Sequence, residues 1–365
     1  MAPEVVTYTT PPQGLIRLLS RSHPLLTLPL VRRLQFAGKF PGGITEHAKI
    51  LWCSGVSLSE HPHAAPDDHD GGEGVDAERE VTSGKQRGEN GGEEEVPFAA
   101  AYLDFSRGPE TELWIYSSME ARLARTGAEA EEKKDEDADI ERGELACAVA
   151  LLRQVKRQQD LYFLPGSPAA AAREFPTILV GNLNEVVRER LVAAGLDIIS
   201  TGLYDKWIFE TDRLPDVGLP EVLGGGEGGG EGKVWGWDVV RREDILFTIS
   251  RTKIPRRERT MKLLPSTALY LDDGTPVAWA FLGPDSSLSS LHCEPLYRGK
   301  GIAKAVAVRV LKDHLRDYGD GIPYGWADVA PDNLQSQAVC RSLNGQVKWQ
   351  ISWSRLNLDQ SFLDE

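Results

Sequence analysis

The sequence predicts an α/β protein made of two halves, and three observations carry that prediction. Short β-compatible runs alternate with amphipathic helical stretches from Ile50 to the end of the chain. The run Gly224 to Gly232 (GGGEGGGEG) has the composition of a flexible linker and separates the two series. Near residue 295 a strand-like segment passes into a helical one through a loop holding two glycines and two bases. At 365 residues, the chain suits two domains of roughly 100–200 residues each.

In the first half, Ile50–Val56, Phe98–Phe105 and Glu112–Ser117 read as strands of an antiparallel meander with one very long loop. Before them, Arg17, Arg21, Arg32, Arg33 and Lys39 are spread among leucines, and Glu4 is the one acid between Ala2 and Thr45. This stretch fits either a pair of amphipathic helices broken at Pro24 and Pro29 or a mitochondrial transit peptide. Leu145–Gln159 reads as a helix. Thr177–Val180 reads as a strand, 181–184 as a turn and Glu185–Ala194 as a helix that Asn182 or Asn184 would cap. Lys206–Glu210 is a further strand.

In the second half, Val239–Ser250 opens a helical region ending near Pro255. Ala268–Leu271 and Pro276–Leu282 flank an Asp-Gly turn and form a hairpin. Leu288–Cys293 is the next strand. Ile302–Tyr318 is a long helix with Ile302, Val306, Val310, Leu311 and Leu315 toward a core, ended by Gly319 and Gly321. Tyr324–Val329 (strand), Asn333–Leu343 (helix) and Val347–Leu356 (strand) complete the chain.

Charge and cysteines narrow the function classes. The net charge is −14, but segments 60–95 and 129–144 carry about −9 and −6 of it, leaving the remainder near neutral. The first segment is poor in large apolar residues and reads as a disordered acidic insertion. The charged stretch 127–143 reads as a solvated helix or a second insert. No basic domain emerges, so no nucleic-acid partner is expected. No apolar run reaches the roughly 18 residues of a membrane span. Cys53, Cys147, Cys293 and Cys340 form no C-x-x-C pair, as expected for reduced thiols inside a cell, in the cytoplasm or a mitochondrion. His61, His63 and His69 lie among aspartates, where a solvated charge run outweighs a metal site, and no metal is expected.

The chemistry concentrates in Leu291-His292-Cys293-Glu294-Pro295-Leu296-Tyr297-Arg298-Gly299-Lys300-Gly301-Ile302-Ala303. Glycines let backbone N–H groups turn toward a ligand, and a helix N-terminus adds partial positive charge. With Arg298 and Lys300, this makes an anion site suited to a pyrophosphate. The spacing fits neither a P-loop nor a Rossmann fingerprint, whose third small residue would fall at Lys304.

The segment resembles the coenzyme A loop, Arg/Gln-x-x-Gly-x-Gly/Ala, of the GCN5-related N-acetyltransferase (GNAT) superfamily. Cys293-Glu294-Pro295 stands where that family has Val-x-Pro. Asn333-x-x-Ser336 with Cys340, Leu343 and Gly345 resembles its later helix. Pro276–Gly283 and Asp285–Leu291 are similar to the branch holding glycine N-acyltransferases and tandem proteins. The resemblance implies the acyl-CoA N-acyltransferase fold, a mixed central sheet flanked by helices, in two tandem domains. Residues 1–220 would form a degenerate amino-terminal domain without the loop, 221–233 the linker and 234–365 the catalytic domain.

The resemblance also implies acetyl-CoA or another acyl-CoA as cosubstrate, held by Cys293, Arg298, Gly299, Lys300, Gly301, Ile302, Ala303, Asn333 and Ser336. The thioester would lie between splayed strands Leu288–Cys293 and Tyr324–Val329, and an amine would attack it directly. Glu294 and His292 are the candidate bases. They share a face if the strand is regular, and each also has a structural reading, as a strand-end carboxylate or a hydrogen-bonded histidine. Cys340 occupies the place of the family's acid tyrosine and reads either as acid or as core filler; Tyr297 and Tyr324 are alternative donors. The acceptor is expected to be an amino acid or other small amine, with a protein lysine or amino terminus as alternative. Loss of the tyrosine leaves room for a non-catalytic, coenzyme A-binding interaction protein.

Overall fold

A computed structural model describes residues 3–61, 64, 96–129, 134–218 and 234–363. The acidic insertion expected at 60–95 lies outside the described residues except for Glu60, His61 and Ala64, and the linker 221–233 lies wholly outside them. So do His63 and His69; among the described residues no group of His, Cys, Asp or Glu is placed to hold a metal ion. The charged stretch 127–143 is helical on both sides of residues 130–133, which also lie outside.

The first half opens with β1 (Glu4–Tyr8), α1 (Gln13–Ser22) and α2 (Leu28–Lys39). The two helices match the helical reading of the basic, leucine-rich stretch. Pro29 starts α2 rather than breaking it, because a proline in the first turn forfeits no intrahelical hydrogen bond. β2 (Lys49–Ser54), β3 (Phe98–Leu103) and β4 (Leu113–Ser117) follow and form with β1 the expected antiparallel meander. Alternate residues of these strands point to two cores. Leu51, Cys53, Ala99, Ala101, Leu113 and Ile115 pack under α4 (Lys134–Tyr162), which follows α3 (Met119–Glu129). Ile50, Trp52, Ala100, Tyr102, Trp114 and Tyr116 pack under α1 and α2. After the short α5 (Pro168–Ala171), β5 (Ile178–Asn184) joins β4 in parallel, α6 (Glu185–Ala193) follows with Asn184 as its cap, and β6 (Asp197–Glu210) runs back. The turn expected at 181–184 is instead part of β5. Asn182 takes a positive φ of 58° inside the strand, and its carboxamide accepts from the buried Lys206 ammonium.

The second half repeats this order. β7 (Val234–Asp238), α7 (Ile245–Ser250), α8 (Glu258–Met261), β8 (Ser266–Leu271), β9 (Pro276–Leu282) and β10 (Leu288–Cys293) give an antiparallel four-stranded sheet, β10-β9-β8-β7. α9 (Ile302–Tyr318) covers one face through Ile302, Val306, Val310, Leu311 and Leu315, as its periodicity predicts. α7 and α8 cover the other, over Trp279 and Phe281. β11 (Tyr324–Val329), α10 (Leu334–Ser342), β12 (Gln346–Asn357) and α11 (Leu358–Ser361) end the chain.

The halves exchange their last strands. The larger sheet runs β1-β2-β3-β4-β5-β12-β6-β11. β12 of the second half lies between β5 and β6 of the first, and β6 pairs along its end with β11 of the second. Side chains reinforce this exchange. Arg32 on α2 donates to the carbonyls of Gly319 (2.8 Å) and Ile322 (3.0 Å) just past α9. At the β6–β11 pair, the buried Lys206 ammonium lies 2.6 Å from Asp328 and 3.5 Å above the Trp326 ring. Breaking one partner of such a buried ion pair costs about 3–5 kcal/mol.

Candidate functional site

β10 and β11 are the splayed parallel strands that the site requires. A single parallel bridge joins them, from Ser287 just before β10 to Trp326, and no further pairing follows it among the described residues. The gap exists because β10 leaves the regular ladder. Leu288 and Ser289 face Leu282 and Phe281, whereas His292 and Cys293 face Trp279 and Ala278, so β10 carries one extra residue. Ser290 and Leu291 thus have no register partner in β9, and Ser290 takes φ 50°. Such a β-bulge bends the strand and re-aims the backbone groups within it.

The loop after β10 has the predicted form. Gly299 and Gly301 adopt φ of 75° and 78°, and a Cβ at either would project into open space. Their glycines therefore serve backbone conformation, leaving the space above the loop clear. Gly301 caps α9, whose first turn has neither a side-chain cap nor an acid. The first N–H groups of a helix have no intrahelical acceptor. Arg298 donates through Nε to the Cys293 carbonyl at 2.8 Å, tying the loop to the end of β10. The Lys300 ammonium lies 5.8 Å from the centre of the Tyr297 ring. The Ile302 side chain enters the core and Ala303 packs at its margin, so these two residues offer the site their backbone. Across the gap, Asn333 caps α10 by accepting from the Ser336 amide at 3.1 Å, which places both residues at an exposed helix start just beyond β11. These residues fit an adenosine-bearing pyrophosphate thioester: a clear glycine loop, an uncapped helix start and two bases.

The bulge precedes His292, so His292 and Glu294 share a face. His292 Nε2 lies 3.4 Å from Glu294 Oε1, without a full hydrogen bond, and its ring stacks on Trp279 at 4.6 Å. Burial holds the imidazole below the usual histidine value against the opposing pull of Glu294. Glu294 also accepts from Arg251 Nε at 2.8 Å. Cys293 points the other way, into the core under α9, and burial pushes its thiol up to about 11. Cys340 is likewise packed among apolar side chains of that core, and burial pushes it up to about 12. Gly345 follows because a Cβ there would meet Phe209 at 2.5 Å.

Sequence reasoning missed the cavity beside this cleft. A cavity of roughly 70 Å³ opens between the halves beside the start of β10, lined by Ser287 and Ser289 of the second half and Trp114 of the first. Asp285, at its floor, accepts from Trp114 Nε1 at 3.1 Å and from the Ser287 hydroxyl at 2.7 Å. The available signal was the basic run between α7 and α8: Arg251, Lys253, Arg256, Arg257 and Arg259 fall within nine residues.

Comparisons with known proteins agree with this geometry. Residues 2–207, more than half of the chain, match the family of the acyl-CoA N-acyltransferase verG N-terminal domain, and residues 242–345 match the GNAT acetyltransferase family. A search among curated proteins gives no match. A Drosophila protein solved by X-ray crystallography has a similar fold, with a TM-score of 0.54 at 10% identity over 97% of this chain and 98% of its own. A tandem GNAT protein from the clavulanic acid biosynthesis pathway, solved without acetyl-CoA, gives a TM-score of 0.44 at 11% identity over 97% and 98%. A GCN5-related N-acetyltransferase from Sphaerobacter thermophilus gives 0.43 at 12% over 96% and 95%. No helix among the described residues is long and apolar enough to cross a membrane. The chain therefore belongs to the acyl-CoA N-acyltransferases of the GNAT family, as a tandem enzyme of the N-acetyltransferase class.

Proposed function

We propose that residues 234–365, with the strands exchanged from 1–220, transfer an acyl group from acyl-CoA to the amine of an amino acid or another small molecule. The observation that carries this reading is the single-bridge splay of β10 and β11, with a bulge on one strand and an open glycine loop at its end. Arg298, Lys300 and the backbone of Gly299–Ala303 hold the pyrophosphate, the backbone at Cys293 holds the pantetheine arm, and Asn333 and Ser336 border the far side. The bulge amides of Ser290 and Leu291 are the donors we assign to the charge that develops on the thioester oxygen.

His292 takes the amine proton. Its lowered pKa keeps it neutral near pH 7. With Nε2 toward Glu294, Nδ1 remains to accept, and the Glu294 carboxylate stabilises the resulting imidazolium. We assign Cys340 to packing rather than to acid catalysis. A thiol held near 12 is a weaker acid than an ordinary thiol of about 8.5, so it would not protonate a departing thiolate. Such a thiolate is close enough to neutral pH to take its proton from water. Thiol release from acetyl-CoA, followed with a panel of amino acids, simple amines and peptides, tests the reading. Turnover with small amines supports it, and turnover restricted to peptides would favour a protein acceptor instead.

A further inference from the structure

The inter-half cavity holds three arginines, and their partners separate them. Arg33 donates twice to the Gly43 carbonyl and stacks on Tyr102 at 3.7 Å. Arg107 pairs with Asp104 at 3.4 Å and donates to the Gly42 carbonyl. Arg256 is different. Its Nε, like those of Arg33 and Arg107, is sealed from solvent without a hydrogen-bond partner, but it forms no ion pair among the described residues and its head makes a single contact, to the Ser289 hydroxyl at 2.9 Å. The two carboxylates lining the cavity are already engaged. Asp285 is held by Trp114 and Ser287, and Glu110 accepts from Thr260 at 2.6 Å and from the Arg257 amide at 3.1 Å. The Arg256 guanidinium feels the charges of Glu110 and Asp285 without pairing with either, and a carboxylate placed beside it would gain two parallel charge-assisted N–H bonds.

We propose that Arg256 anchors the carboxylate of the acceptor, so that the substrate class is an amino acid with an apolar side chain. The inference rests on the acyl-transfer reading above and narrows its acceptor. Ser289 lies immediately before the bulge that re-aims the strand beneath the thioester, so a carboxylate on Arg256 sets the adjacent amine near the reacting carbonyl. Phe36, Trp114, Met261, Leu263 and Leu264 supply the apolar walls for the rest of the molecule. The first half contributes Phe36 and Trp114, which gives the amino-terminal domain a place in substrate choice although it lacks the glycine loop.

The full-length protein and its Arg256→Ala, Arg256→Lys and Ser289→Ala variants are assayed with acetyl-CoA and either L-phenylalanine or L-phenylalaninamide. Calorimetry with N-acetyl-L-phenylalanine reads the anchor without turnover. The expected result is a loss of about 100-fold in the acid-to-amide ratio of kcat/KM for Arg256→Ala, carried by KM, with smaller losses for the other two. Stabilisation by acetyl-CoA should be unchanged in all three. The proposal is overturned if wild type does not bind N-acetyl-L-phenylalanine, or if Arg256→Ala folds, binds it equally well and keeps the ratio. Absence of acetyl-CoA stabilisation in wild type would strike the acyl-transfer reading instead.

Discussion

The two halves contain the same strand pair, and only one of the pairs is open for a ligand. In the second half, β10 and β11 meet at one bridge and part. The strand then runs through two left-handed glycines into a helix with no acid in its first turn. In the first half, β4 and β5 pair at Leu113–Val180 and Trp114–Gly181 and also part, but β4 passes directly into α3, with Glu120 in its first turn. Its gap is filled by the protein's own polar groups. Asn184 donates to Glu120 at 3.3 Å, Lys206 reaches Asn182, and burial raises the Glu120 carboxyl to about 8. A buried acid at this helix start, held largely neutral near pH 7, takes the place where a pyrophosphate would sit, and this half has no glycine loop to receive one. The two halves differ in the loop that joins strand to helix and in its charge, not in the sheet.

The largest expected effect tests whether the halves are separable. A chain ending at Asn344 lacks β12 and leaves β5 and β6 unpaired at the centre of the larger sheet. It should show no cooperative unfolding transition by circular dichroism, whereas independent halves would leave the amino-terminal one folded. Next, His292→Gln should lower kcat by about 100-fold or more. In wild type kcat/KM should fall tenfold per pH unit on the acid side, along a limb displaced below the usual histidine value of 6.5 because burial favours the neutral ring. An unchanged limb in the variant would move the base to Glu294.

The Glu120 prediction concerns stability. Its folded pKa of about 8 exceeds the ordinary glutamate value of 4.5, so between these the native state binds more protons than the unfolded one. Stability therefore falls as pH rises through that window and is greatest in its acid part. Glu120→Gln should raise Tm by several degrees at pH 8.5 and far less at pH 5, without altering acetyl-CoA binding. The smallest effect is expected from Cys340→Ala, with kcat within about twofold of wild type and Tm lower by about 1–2 °C, the shift for roughly 1 kcal/mol in a chain of this length. A hundredfold loss of kcat there would restore Cys340 as the acid.

The legible and hidden parts of the molecule differ in range. The Arg298–Ala303 loop and the α9 face are local patterns readable from spacing, and Asn333 is marked by the family resemblance. The strand exchange was not, because the pairing of β12 with β5 joins residues more than 160 positions apart and leaves no local mark. β7 was obscured by the glycines beside it and by Gly236 between two tryptophans. β5 looked like a turn at Gly181-Asn182, since the contact that keeps Asn182 in the strand comes from Lys206. Arg256 stood in plain view within a basic run, but its lack of an ion pair among the described residues is a property of packing.

The most direct measurement is the stoichiometry of acetyl-CoA binding by titration calorimetry on wild type, Gly301→Glu and Glu120→Gln. Gly301 has open space around its Cα, so a glutamate there costs the strain of a left-handed residue, about 1–2 kcal/mol, and sets a negative charge at the anion site. One acetyl-CoA per chain in wild type and in Glu120→Gln, and none in folded Gly301→Glu, is the predicted result. Binding retained in Gly301→Glu, or a second equivalent lost with a change in the amino-terminal cleft, would contradict the assignment of the cofactor to the second half.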